Sequence, residues 1–244
     1  MIHSKIWESF SRFWATDRGL SIFLVMIIVV VFVLPSLADL VGIARRLFFD
    51  IFFSLLLISG ITSMSERRRV LITLAGISIV ALAVRWIDSF NASALLDVLN
   101  YFATITAIIL FSIVVLSQVL KKGPITVHRI EGAIAVYLLL GLAWAHTYEL
   151  IEYLSPGAFI GAITTSARFS SWVYFSFVTL ATLGYGDISP VHPVARSLAV
   201  AEAITGQLYL AILIARLVSQ QLFHRESREE QIKRDSSEDK TSHG

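Results

Sequence analysis

Thr179-Leu180-Ala181-Thr182-Leu183-Gly184-Tyr185-Gly186-Asp187 decides the reading of this chain. Its centre, Thr182 to Gly186, has the chemistry of a backbone that replaces the water around a cation. A bare cation leaves water only where oxygens take over its hydration shell. Successive backbone carbonyls do this when they point to one side. An ordinary strand alternates its carbonyls, so a one-sided row needs residues in left-handed conformations, which glycine adopts without steric cost. Gly184 and Gly186 stand two apart, as such an alternation requires. Thr182 adds a hydroxyl at the inner end, and Tyr185 has a ring able to wedge outward and hold a ring of such loops open.

Around this stretch lies an apolar chain. Of its 244 residues 56% are hydrophobic, and the mean hydropathy is +0.73, which excludes an ordinary soluble domain and points to a polytopic membrane protein. A formal charge of +2 gives no reason to expect nucleic acid as a partner. The absence of cysteine excludes disulfides and thiolate metal sites. No cleavable signal peptide is evident, because the first apolar run is too long for a signal core.

Hydrophobic runs predict six spans at about 19–40, 47–62, 70–87, 95–120, 129–153 and 194–223. Residues 1–18 place Ile6, Trp7, Phe10, Phe13 and Trp14 on one stripe, the pattern of an amphipathic helix lying in the membrane interface against lipid. Pro35 is expected to kink the first span. Residues 154–167 read as loop, and a helix over about 168–181 is too short to cross, so it is expected to be re-entrant. Residues 123–128 form a linker, and the charged tail at 224–244 is expected to be disordered beyond a turn or two of helix. Arg67, Arg68, Arg69, Lys121, Lys122 and Arg129 fall on the side of both termini, which the positive-inside rule makes cytoplasmic; Arg45 and Arg46 oppose it. The expected fold is all-α, multi-pass in the plasma membrane.

Thr182-Leu183-Gly184-Tyr185-Gly186-Asp187 closely resembles the potassium-channel signature, with Leu183 in place of the usual valine. A span, a re-entrant helix, the signature and a last span resemble the pore module of tetrameric cation channels over about residues 128–223. The resemblance implies a homotetramer, since one filter strand per chain needs four chains to close the ring. It implies K+ as permeant ion, bound by Thr182, Leu183, Gly184, Tyr185 and Gly186. It also implies support for that filter from Trp172, Tyr174, Phe175, Thr179 and Asp187, with a Tyr174 hydroxyl bond to the Asp187 carboxylate. Plain packing against the neighbouring span is the other reading of the three aromatics. Some relatives carry a buried glutamate where this chain has Val178. Gly206 stands where the family often has a hinge glycine in the inner helix, and a small residue for helix packing is the alternative. Glu202 and Ala211 are candidates for the inner pore, Glu202 because an acid within a span is a functional candidate by default.

Six spans resemble the voltage-gated superfamily, yet the fourth span, 95–120, holds Asp97 and no arginine. The resemblance therefore breaks at the charged fourth helix, and residues 19–122 read as a sensor-like domain without gating charges. Asp50, Arg85 and Asp97 are expected to form a static ion-paired layer. No catalytic triad, nucleotide loop or metal-ligand cluster appears, so no enzyme activity, small-molecule substrate or cofactor beyond the permeant ion is expected. The rival readings are a non-selective cation channel, against which the intact filter residues stand, a non-conducting partner subunit, and a six-span secondary transporter, which would show paired broken helices.

Overall fold

The computed structural model describes residues 18–33, 76, 94–120, 126–161 and 168–242. The expected spans at 47–62 and 70–87 (Gly76 apart), the interfacial helix before Arg18, Pro35, Asp50 and Arg85 lie outside the described residues. Helix α1, Arg18–Ile28, passes into a π-helical turn, Val29–Val33. Then follow α2 (Ala94–Val119), α3 (Val127–Leu154), strand β1 (Phe159–Gly161), α4 (Arg168–Leu180), strand β2 (Ile188–Pro190) and α5 (Pro193–Ser242). Among the described residues three helices are long and apolar enough to cross a membrane, over Ala94–Ser117, Arg129–Leu154 and Pro193–Arg216. Thirteen residues of α4 rise only about 20 Å, short of a hydrocarbon core of about 30 Å.

Helix α3 is the centre of the packing. It meets α2 along its length, and α1, α4 and α5 on its other faces. Phe23 and Ile27 of α1 join Ile108, Phe111 and Val115 of α2 and Leu139 and Leu142 of α3 in one core. The Phe23 and Phe111 rings meet edge on, 5.1 Å apart. Polar contacts mark the two ends. Ser21 donates to both Glu131 oxygens at 2.9 Å, and Tyr153 donates to Asp97 at 2.9 Å. Asp97 is therefore bound to a tyrosine of α3. The helix before the signature also reaches the π-helical turn after α1, since Phe32 and Phe177 lie 5.9 Å apart.

The segment expected to be loop holds a strand. Phe159, Ile160 and Gly161 pair antiparallel with Pro190, Ser189 and Ile188. Glu152 starts this turn by accepting the Gly157 and Phe159 N–H groups at 2.9 and 3.3 Å. Gly161, at φ 125°, lies where an added Cβ would run into the Asp187 carbonyl, so only glycine lets the two strands approach. The tail also departs from expectation, for α5 continues as helix to Ser242. Good helix formers explain this locally.

Candidate functional site

Helix α4 delivers the signature. Its last carbonyls would otherwise lack partners. Ala181 N–H donates to Phe177 O at 3.0 Å, Thr182 N–H to Thr179 O at 2.9 Å and Leu183 N–H to Val178 O at 2.8 Å. The Thr179 hydroxyl turns back to Phe175 O at 2.8 Å. The segment that follows takes φ of 58° at Thr182, 58° at Gly184 and 81° at Gly186, while Leu183 and Tyr185 between them keep negative φ. Every second residue from Thr182 to Gly186 thus takes positive φ, the alternation that the sequence reading requires of a one-sided row of carbonyls. The two glycines were legible in the sequence, whereas Thr182 was not, because a β-branched residue at positive φ is a genuine outlier. Leu183 and Tyr185 are 57% and 66% exposed, so this chain alone leaves both side chains uncovered. At the far end the Ser189 hydroxyl donates to Gly186 O at 3.2 Å.

The three aromatics of α4 divide. Trp172 and Phe175 are buried, and their rings lie 4.9 and 5.4 Å from Phe159. Phe175 also meets Tyr148 at 4.9 Å. These two pack into the chain's own core. Tyr174 points the other way. Its ring stacks on Tyr185 at 6.5 Å, and its hydroxyl donates to Asp187.

Glu202 is not where an inner-pore residue would be. It is wholly buried, held between α3 and α4. Ala195, Glu202, Gly206 and Tyr209 share the face of α5 that packs on the chain's own core, and this places the acid inside. Tyr148 Oη lies 2.5 Å from Glu202 Oε2, and Ser176 Oγ lies 2.5 Å from Oε1 and 2.7 Å from Gly141 O. Three close oxygen pairs need three protons, and the two hydroxyls supply two. A carboxyl carrying its own proton completes the set and avoids an unpaired buried charge. The sequence signalled the acid through its position in a span. Tyr148 and Ser176 carried no signal, because their role exists only once three helices meet.

Gly206 meets α4 directly. An added Cβ there would land on the Leu180 carbonyl oxygen, so the residue is small because α5 crosses the end of α4 at backbone contact. Gln207 and Ala211, one turn apart, are exposed on the chain surface. Gln207 Nε2 donates to Thr182 Oγ1 at 3.2 Å, a contact the sequence reading did not foresee. The structure thus brings Tyr174, Gly206 and Gln207 against the signature, and holds the side chains of Glu202, Trp172 and Phe175 in the chain's interior.

Residues 134–221, from α3 into α5, match the family described as ion channel. The chain is also similar to two proteins named as potassium channels. It is 34% identical over 90 residues to the inward rectifier potassium channel Kirbac3.1 of Paramagnetospirillum magnetotacticum, covering 36% of this chain and 27% of that one. It is 34% identical over 84 residues to two pore potassium channel c of Oryza sativa subsp. japonica, covering 34% and 18% of the two. Protein LctB of Bacillus caldotenax is 29% identical over 87 residues, covering 34% of this chain and 64% of that protein. The chain thus spans under two thirds of the length of each of these curated relatives. No solved structure matches it.

Proposed function

We propose that four copies of this chain form a potassium-selective channel in the plasma membrane, with both termini cytoplasmic and Thr182 to Gly186 as the filter. The alternation of φ at Thr182, Gly184 and Gly186 carries the reading, because it is the backbone that lines up carbonyls as a substitute hydration shell. The uncovered Leu183 and Tyr185 support assembly, as does the largely unburied apolar stretch of α5, which needs lipid or further copies against it. Two of the similar proteins are potassium channels by name, and the ion-channel family match, residues 134–221, includes the proposed filter. Tyr174 and Asp187 then brace the filter from outside, and α4 is the pore helix whose negative end faces the ion.

Purified protein in liposomes with potassium against sodium tests this. The reversal potential should report a preference for potassium of at least about tenfold, roughly 1.4 kcal/mol. Equal permeability would overturn it.

A further inference from the structure

Thr182 puts a hydroxyl at the inner end of the proposed filter, and that hydroxyl is held by a residue of a different helix. Gln207 Nε2 lies 3.2 Å from Thr182 Oγ1. The contact is made possible one residue earlier. Gly206 brings the α5 backbone against the Leu180 carbonyl, two residues before Thr182, at a spacing no side chain would permit. The geometry is therefore built from both sides: a glycine that admits close approach, and an amide that uses it.

The hydroxyl has one proton and two lone pairs. An amide N–H from the α5 side occupies one lone pair and leaves the other for a cation on the opposite side. If the amide is rotated, its oxygen takes the hydroxyl proton and leaves both lone pairs free. In either orientation the hydroxyl loses its free rotation. Thr182 also sits at φ 58°, a conformation that persists in a β-branched residue only when its surroundings fix it. The Thr182 N–H bond to Thr179 O fixes the backbone, and Gln207 fixes the side chain.

We propose that Gln207 is a positioning residue for the innermost cation site, orienting the Thr182 hydroxyl toward a dehydrated cation, and that it sets the affinity of that site for ions of potassium size. The proposal rests on the functional reading above. Barium, a divalent cation close to potassium in size, is the probe, applied to full-length channels in planar bilayers from the side onto which Thr182 opens. Gln207→Leu keeps the bulk and loses the hydrogen bond, and should weaken barium block about tenfold. Gln207→Glu still accepts the hydroxyl proton and should block at least as tightly as wild type. Tetraethylammonium applied at the opposite, Tyr185 end should block Gln207→Leu and wild type alike. Wild-type barium affinity in Gln207→Leu, equal weakening in both variants, or parallel loss of the outer block would each overturn the proposal. Should Gln207→Leu not conduct, barium binding to the purified protein by calorimetry decides, and unchanged affinity overturns it. A wild type without preference for potassium over sodium overturns the functional reading, whereas a selective wild type with an unaltered Gln207→Leu overturns this proposal alone.

Discussion

At Thr182 a β-branched side chain holds φ 58°, a state that costs about 1–3 kcal/mol and must be fixed by its neighbours. Gly184 and Gly186 reach the same region without that penalty. Nothing lies within 4 Å of a Cβ built on Gly186, so space is not what excludes alanine there. Backbone conformation is, and Gly186→Ala should abolish or derange potassium conduction in bilayers. Wild-type selectivity in that variant would show that the carbonyl row does not depend on left-handed residues. Glu202 makes a second point at this scale. If its carboxyl carries a proton between Tyr148 and Ser176, glutamine is its isostere, with the amide donating to Ser176 and the amide oxygen accepting from Tyr148. Glu202→Gln should then leave thermal unfolding of the detergent-solubilised protein nearly unchanged. Glu202→Ala strands the buried Tyr148 hydroxyl, while Ser176 keeps the Gly141 carbonyl, and should lower stability by about 1–3 kcal/mol. Equal losses in both variants would mean that a charged carboxylate is needed. The acid was visible in the sequence and its setting was not. A lone acid in an apolar run is a functional candidate whose direction stays open until the helix face is known, and that face is set by Gly206 meeting Leu180, a contact between residues 26 apart.

Elements were more legible than sites. The spans expected at 95–120 and 129–153 and the short helix at 168–181 fall within two residues of Ala94–Val119, Val127–Leu154 and Arg168–Leu180. Unbroken apolar runs ended by Lys121-Lys122-Gly123-Pro124 and by Pro156-Gly157 leave little freedom in placing such helices. The strands of three residues had no comparable signal, because their pairing joins Phe159 to Pro190 across the whole of α4 and the filter segment. That pairing has a mechanical consequence. It places β1 against the backbone of Asp187, the residue that Tyr174 holds by its hydroxyl. Gly161→Ala introduces a Cβ where the Asp187 carbonyl sits, at a φ of 125° that disfavours any side chain. The expected outcome is faster amide hydrogen exchange over residues 187–190 and an altered single-channel current, with the helices intact by circular dichroism. Unchanged exchange would show that the hairpin is not what steadies the outer end of the filter.

For the whole molecule the question is what the helices ahead of α3 contribute. Helix α2 lies along α3 of the same chain, tied by Tyr153 to Asp97 at one end, and Arg216 of α5 donates to the Leu120 carbonyl just past α2 at the other. A helix fixed at both ends to the proposed conducting part could transmit force to it, but to sense voltage it would need charge that moves through the field. Each elementary charge crossing the membrane contributes about 2.3 kcal/mol per 100 mV, so a steep sensor moves several. Between Leu95 and Leu120 there is no arginine or lysine, and the acid there, Asp97, lies in the first turn of α2. Arg85, on the expected third span, lies outside the described residues. Open probability should therefore change little between about −100 and +100 mV, or only through ions within the filter. Current–voltage families with gating-current recording test this. A limiting slope above about two elementary charges that disappears in Arg85→Gln would show that these helices sense voltage after all. A flat response places the control of opening in the filter, the surrounding lipid or a ligand, and makes the Arg216 contact with the end of α2 a mechanical tie between the two parts of the chain.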